Sequence, residues 1–264
     1  MLVIASNITT RDPKIERILR KVDLKATRNE IQELARRCVA AGANMLDLNI
    51  QQHHDRPDVM AFLVGAVQEV ADRRLCLSTG NAVTLEAGLK ACDCPPLVNY
   101  VSIDQTRLRD MLPLAAQHGA GVVLLVGDAA NPGDAEQLAK KAAILVGAAG
   151  EVGIPNDSIL IDPGLIHITA DIGQRYLGEV MEFLKALPEL FTPVVSSTCW
   201  LGNISVGAPA SLRPVVETAA LAMLAGVGLS SVFLDVLKRE NMRMVRLTRI
   251  LRNEVIYSDG ELEL

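Results

Sequence analysis

Acidic and amide side chains interrupt several of the short apolar runs in this sequence. Asp47 and Asn49 lie two residues apart in MLDLNI, Asn99 lies in PLVNYV, and Asp162 ends the run ILID. A carboxylate pairs well with adjacent ring N–H and amino donors, because both of its oxygens accept charge-assisted hydrogen bonds. Lys and Arg are almost absent from these positions, so the pattern does not suit a phosphate. It favours a neutral heterocycle that carries several N–H and C=O groups.

The apolar runs alternate with stretches of helical periodicity, such as NEIQELARRCVAAG, DVMAFLVGAVQEVADR, TRLRDMLPLAAQHG and AEQLAKKAAILVGAAGEVG, several of which close on glycine. Eight β/α alternations are typical of a closed parallel barrel. We therefore predict the α/β class and a single (β/α)8 TIM barrel over residues 1–264. The predicted strands are LVIAS (2–6), MLDLNI (45–50), LCLST (75–79), PLVNYV (96–101), GVVLLVG (121–127), ILIDPG (159–164), PVVSS (193–197) and SVFLDV (231–236).

An open, doubly wound sheet is the alternative fold. Against it, the first βα turn, ASNITTRDP, lacks the GxGxxG of a dinucleotide site, and no GxxxxGKS or GxxxxGKT occurs in the sequence.

A parallel barrel gathers the carboxyl ends of its strands at one mouth, where its chemistry takes place. Because Asp47 and Asn49 share one face of a strand whose leucines need the helix layer, both are expected to point into the barrel. Any single residue of this kind could instead cap a helix or close a turn. The polar residues expected at the strand ends are Asn7, Asp47, Asn49, Ser78, Asn81, Asn99, Asp128, Asp162, 196–199, Asn203 and Asp235.

Composition excludes some classes of protein. The net charge is −5 and no basic tract is present, which argues against a nucleic-acid partner. No apolar run approaches the ~18 residues that span a bilayer. The five cysteines form no CxxC pattern, and the first residues show no charged stretch followed by an apolar one. We therefore expect reduced thiols in a cytoplasm.

A metal site is not expected, because zinc takes three or four clustered ligands. Cys199 and His167 would be the nearest to a zinc-thiolate pair. The adjacent His53 and His54 do not easily face one metal from a strand. Trp200, close to Asn203 in the sequence, either forms one wall of the ligand site or packs in the core.

Five segments together carry a family resemblance: LDLNI, LCLSTGNAVTLEAGLKAC, LVNYVS, LIDPG and LGNIS. In this order and spacing they resemble the methyltetrahydrofolate:corrinoid protein methyltransferases, a pterin-binding barrel family related to dihydropteroate synthase. The resemblance implies a homodimer, tetrahydrofolate or 5-methyltetrahydrofolate as substrate, and a partner corrinoid protein that carries cobalamin. It also implies that Asn99 and Asp162 bind the pterin and that Asn203 lies near the pterin N5.

The chain departs from that family at two points. Ser78 stands where the family has an acidic pterin ligand, and ASNIT (5–9) replaces a GERIN-like turn. We expect Ser78, Asp47, Asn49 and Asn7 to complete the pterin site.

The activity expected from the resemblance is methyl transfer between a corrinoid protein and N5 of tetrahydrofolate, which would suit the tetrahydrofolate-methylating component of a demethylase system. Asn203 is the expected catalytic residue, because its amide can donate to the N5 lone pair or accept from N5–H. Loops 51–58 and 128–134 are expected to contact the corrinoid protein. The alternatives are a dihydropteroate synthase-like enzyme and an inactive pterin-binding partner of a corrinoid protein.

Overall fold

The protein is an eight-stranded parallel barrel surrounded by helices, which confirms the predicted (β/α)8 fold. The computed structural model describes residues 1–20, 27–51, 55–258 and 260. All neighbouring strands pair in parallel, in the order β7-β6-β5-β4-β3-β2-β1-β8. The strands are β1 Leu2–Thr9, β2 Met45–Asn49, β3 Arg74–Ser78, β4 Leu97–Ser102, β5 Gly121–Leu125, β6 Ile159–Asp162, β7 Ser196–Ser197 and β8 Ser231–Leu234.

Helices follow the strands and cover the outside of the sheet. The stretch predicted as one helix over 106–119 forms two, because Pro113, in the first turn of the second helix, lacks the N–H that would continue the first. Helix α3 ends at Gln68, earlier than its periodicity suggests. The helices are α1 Pro13–Leu19, α2 Arg28–Ala40, α3 Pro57–Gln68, α4 Ala82–Ala91, α5 Gln105–Asp110, α6 Leu112–Gln117, α7 Ala135–Glu151, α8 Gly173–Leu190, α9 Arg213–Gly226 and α10 Arg239–Leu251. Within the described ranges, none is both long and apolar enough to cross a bilayer.

Strand alternation divides the apolar residues between two cores. Leu46, Leu48 and Leu77 pack outward against the helices in the larger core. A smaller cluster fills the barrel interior, with Ile4, Met45, Cys76, Leu97, Val123 and Phe233. Since successive side chains point to opposite faces of a strand, residues two positions beyond these apolar ones point into the same interior. Asp47, Ser78 and Asn99 occupy such positions, so an apolar plug lies beneath a polar mouth.

The barrel closes at a seam between β7 and β8. Among the described residues, one isolated bridge closes the barrel here, between Trp200, three residues after β7, and Phe233 in β8. Side chains supplement the bridge, because the hydroxyl groups of Ser230 and Ser231 each donate to the Ser197 carbonyl over 2.8 Å. Strand β7 has two residues rather than the five predicted at 193–197. We call this junction the β7–β8 seam.

Candidate functional site

A cavity of about 690 Å³, counting the part open to solvent, lies at the carboxyl ends of the strands. It brings together four of the predicted site residues from four different parts of the chain. These are Asn49 at the end of β2, Asn99 in β4, Asp162 at the end of β6 and Asn203 after β7. The lining is therefore rich in hydrogen-bonding groups that converge on one space, as the strand-end pattern predicts.

Asp162 places a buried carboxylate in this cavity. Its exposed fraction is 5 %. One oxygen, Oδ1, accepts a hydrogen bond of 2.8 Å from the Gly164 N–H, and this is the one hydrogen bond to the carboxylate in the described part of the chain. Burial raises the pKa of Asp162 from 3.8 to about 7. A ligand that offers N–H donors would favour the charged form and take up its unused accepting capacity.

Asp47, Ser78 and Asn99 form a chain of hydrogen bonds across three adjacent strands. The Ser78 hydroxyl donates to Asp47 Oδ1 over 2.5 Å, and Asn99 Nδ2 donates to Ser78 Oγ over 2.8 Å. Asp47 and Ser78 are fully buried and lie outside the cavity lining, whereas Asn99 belongs to it. Burial raises the pKa of the Asp47 carboxyl to about 7, and the hydrogen bond from Ser78 opposes that shift. Of these three residues, Asn99 is the one placed to touch a ligand.

Asn7 lies away from the cavity. Its amide NH2 contacts Asp235, and its Oδ1 accepts from the Val236 N–H over 3.1 Å. It borders a second cavity beside α1 and α2. The structure thus uses Asn7 to fasten β1 to the segment after β8 and does not bring it together with Asn49, Asn99 and Asp162.

Asn203 is carried on a short 3-10 helix, Leu201–Ser205, directly beyond the β7–β8 seam. Among the described residues, its side-chain amide has no hydrogen-bond partner, so both its donor and acceptor groups are available to a ligand. The helix is held by the Ser205 hydroxyl, which donates to Glu217 over 2.8 Å. Burial alone would raise the pKa of Glu217, but hydrogen bonds from Asn241, Ser205 and Lys238 outweigh it and lower that pKa. This charged anchor ties the 3-10 helix that carries Asn203 to α9.

Trp200 both lines the cavity and packs against the core. Its ring stacks on Phe233, with 5.3 Å between centroids and 13° between planes. The Arg11 guanidinium lies over the Trp200 ring, 5.0 Å from its centroid, and donates to Gln51 over 3.3 Å. Arg11 brings a positive charge to a cavity that is also lined by the carboxylates of Asp128 and Asp162.

Other lining residues were not singled out by the strand-end pattern. The Tyr176 hydroxyl, from α8, donates to the Pro163 carbonyl over 2.7 Å and so holds the loop that follows Asp162. Gly127 approaches the same loop so closely that an added Cβ would lie 2.0 Å from the Pro163 carbonyl oxygen. The sequence gives one indication that Gly127 lines the cavity, which is its position at the end of a predicted strand. Nothing in the sequence identifies Tyr176 as a lining residue, because it lies within an ordinary amphipathic helix.

Across the described ranges, no group of three or more His, Cys, Asp or Glu side chains is placed to hold a metal ion. Cys199 is buried, and His167 Nδ1 hydrogen bonds to Thr169 Oγ1 over 2.7 Å. His53 and His54 lie outside the described residues.

Comparison with known sequences identifies related proteins. Residues 17–235 match the family model described as "Pterin binding enzyme". The methylcorrinoid:tetrahydrofolate methyltransferase of Eubacterium limosum is 23% identical over 255 residues, which cover 95% of this chain and 91% of that protein. A methionine synthase of Mycobacterium leprae is 28% identical over 213 residues, which cover 75% of this chain and 17% of that longer protein.

Solved structures share the fold. A Yersinia pestis dihydropteroate synthase in complex with a sulfonamide drug has a TM-score of 0.69 and 16% identity, covering 96% of this chain and 94% of that one. The 7,8-dihydropteroate synthase from Vibrio fischeri ES114 has a TM-score of 0.69 and 15% identity, covering 96% and 93%. At these identities the likeness concerns the barrel fold alone.

Proposed function

Because the chain belongs to the family of pterin-binding enzymes, we propose that it transfers a methyl group between a corrinoid protein and N5 of tetrahydrofolate. Membership of that family confirms the resemblance carried by LDLNI, LCLSTGNAVTLEAGLKAC, LVNYVS, LIDPG and LGNIS. The methyltransferase assignment is supported by the Eubacterium limosum relative, whose similarity extends over nearly the full length of both chains. We further propose that residues 1–264 act as one domain.

The observation that carries this proposal is the convergence of Asn49, Asn99, Asp162 and Asn203 on one cavity. A pterin presents adjacent ring N–H and amino donors, and Asp162 offers the carboxylate that pairs with them. Such charge-assisted hydrogen bonds contribute about 1.5–3 kcal/mol each. The amides of Asn49 and Asn99 would bind the remaining donors and acceptors of the ring.

Asn203 is the proposed catalytic residue. When N5 attacks the methyl carbon, its lone pair would form the new C–N bond as the bond from that carbon to the corrinoid breaks. The electron pair of the broken bond would stay with the corrinoid, and the N5 proton would pass to solvent. In the opposite direction, N5 must gain a proton by the transition state, because an anionic amine is a poor leaving group. The Asn203 amide can accept from N5–H and donate to the N5 lone pair, so it suits both directions. In this proposal cobalamin belongs to the partner protein and supplies or accepts the methyl group.

The partner would have to reach the cavity mouth. We propose that loops 51–58 and 128–134 contact it, although residues 52–54 of the first loop lie outside the described residues. Support comes from the second loop, since Asp128 and Ala129 border the cavity and residues 128–131 are exposed.

We also propose a homodimer that forms through α9. Val215, Ala219 and Met223 lie at helical spacing on its surface, and Val215 is 64 % exposed. An exposed apolar stripe of this kind favours contact with another protein surface.

Binding and turnover test the proposal on one preparation. Calorimetric titration with tetrahydrofolate should show a saturable site, and single-turnover assays with a methylated corrinoid protein should produce 5-methyltetrahydrofolate. Pterin binding without turnover, in either direction, would support the inactive-partner alternative instead. Failure to bind tetrahydrofolate and 5-methyltetrahydrofolate would refute the proposed function.

A further inference from the structure

We propose that Asp47 is a positioning residue that orients the side-chain amide of Asn99, acting through the hydroxyl group of Ser78. This inference rests on the proposed function, since Asn99 is the group in this chain of hydrogen bonds that would touch the pterin. Asp47 itself has no contact with the cavity, because it is fully buried below Ser78.

The direction of the hydrogen bonds follows from the chemistry of the three groups. Above about pH 7 the Asp47 carboxyl is ionised, and an ionised carboxylate accepts hydrogen bonds and donates none. The single proton of the Ser78 hydroxyl therefore points to Asp47 Oδ1, 2.5 Å away, and its oxygen must act as an acceptor on its other side. That oxygen can be approached by the NH2 group of Asn99, over 2.8 Å, but not by its carbonyl. The charge on Asp47 thus fixes which end of the Asn99 amide faces Ser78.

A second observation indicates that Asp47 is kept for more than stability. Its other oxygen, Oδ2, is buried and has no hydrogen-bond partner among the described residues. Within the same residues Asp47 forms no ion pair. A buried carboxylate that is incompletely paired destabilises the folded state. The raised pKa of Asp47, about 7, is a measure of the same cost.

This orientation of Asn99 would place a hydrogen-bond acceptor in the cavity for the ligand. With its NH2 group facing Ser78, Asn99 would present its carbonyl oxygen on the other side, toward the ligand. Asp162 lines the same cavity and is also an acceptor. Together they select a ligand edge that carries several N–H donors, and they disfavour one that carries carbonyl groups in those positions. Asp47 would therefore contribute to specificity without touching the substrate.

A double-mutant cycle tests whether Asp47 acts through Ser78. The variants are Asp47→Leu, which removes the acceptor, Ser78→Ala, which removes the link, and the combination of both. Each single variant should weaken tetrahydrofolate binding roughly two- to tenfold, the range for one intramolecular hydrogen bond. The double variant should bind like Ser78→Ala, because Asp47 has no route to Asn99 once the hydroxyl is gone.

Two further variants keep the test independent of folding. Asp47→Asn retains an oxygen that can accept from Ser78, so it should recover part of the affinity lost in Asp47→Leu. Thr248→Val removes another buried hydroxyl group, on α10 outside the cavity lining, and should leave tetrahydrofolate affinity unchanged. Thermal unfolding of every variant establishes that the folded protein is being titrated.

The outcomes separate this inference from the proposed function. If the wild type binds tetrahydrofolate but the effects of the two single variants multiply in the double variant, Asp47 does not act through Ser78. Unchanged affinity in both Asp47 variants would overturn the inference in the same way. If the wild type does not bind tetrahydrofolate at all, the proposed function fails and this inference fails with it.

Discussion

Replacing Asp162 by Asn should make the protein more stable and a weaker binder of pterin. The substitution keeps the size of the side chain and leaves an oxygen to accept from the Gly164 N–H. It removes a charge that the folded protein buries and that the unfolded chain exposes to water. It also replaces one of two acceptors with a donor, which would face the N–H groups of the pterin.

The magnitude follows from the pKa of the buried group. Burial raises the pKa of Asp162 from 3.8 to about 7, and each pKa unit corresponds to about 1.36 kcal/mol. Ionising Asp162 therefore costs the folded state roughly 4 kcal/mol more than the unfolded state. Between about pH 4 and pH 7 the folded protein binds more protons than the unfolded chain. The contribution of Asp162 to stability is thus largest in acid and is lost as the pH rises through this window.

Urea unfolding at pH 5 and pH 8 measures this effect. The free energy of unfolding of Asp162→Asn, minus that of the wild type, should grow by roughly 2–3 kcal/mol between the two pH values. Subtraction isolates Asp162, because Asp47 also has a pKa raised to about 7 and is present in both proteins. A difference that does not change with pH would refute the assignment of a buried, uncompensated charge to Asp162.

Ligand binding should respond in the opposite direction. A pterin that donates to Asp162 favours the ionised form, so wild-type affinity for tetrahydrofolate should increase from pH 6 to pH 8. At pH 8, Asp162→Asn should bind tetrahydrofolate roughly ten- to hundredfold more weakly. Calorimetry at both pH values measures these affinities. If the variant bound tetrahydrofolate as tightly as the wild type, Asp162 would be a turn residue and not a pterin ligand.

Three other variants test the remaining assignments. Asn203→Ala should lower the single-turnover rate by roughly 10²–10³, as for loss of a preorganised transition-state donor, with a smaller change in the dissociation constant. Asn156→Ala, at the opposite end of the barrel, is its control, and equal effects of the two would remove Asn203 from the mechanism. Asn131→Trp in the exposed loop should slow methyl transfer with the corrinoid protein and leave tetrahydrofolate affinity unchanged; normal transfer would exclude that loop from the contact. In sedimentation velocity, Val215→Glu should yield monomers, whereas Val83→Glu, at an equally exposed valine, should not; monomeric wild type would contradict the dimer.

The sequence was sufficient to predict the barrel because eight short apolar runs alternate with stretches of helical periodicity. It also predicted that Asp47 and Asn49 share the interior face. It did not predict their depth, since that depends on how strands are staggered. Asn49 pairs with Ser78 at the mouth, whereas Asp47 pairs with Cys76 one layer below. The stagger between neighbouring strands is set by packing of the whole barrel, so no local sequence pattern predicts it.

Two further differences have local structural causes. Strand β1 continues to Thr9, three residues beyond its predicted end, and its register with β2 is irregular between Ala5 and Ile8. Asn7 lies within that irregular stretch and contacts Asp235 instead of the cavity. Arg11 and Tyr176 reach the cavity from a loop and a helix, where residue type alone does not distinguish a lining residue from a surface or packing one.

The β7–β8 seam is the junction of the barrel that the fewest backbone hydrogen bonds hold together. In the described part of the chain, seven strand pairs are joined by ladders, whereas the eighth junction has one bridge, from Trp200 just after β7 to Phe233 in β8. The barrel should therefore open first at this seam, while the other strands stay paired. Such partial opening requires less free energy than global unfolding. Backbone amides at the seam should therefore exchange their hydrogens with solvent sooner than those of β3 and β4. Asn203, three residues beyond Trp200, could then retreat from a bound pterin and return while Asn99 and Asp162 keep their places.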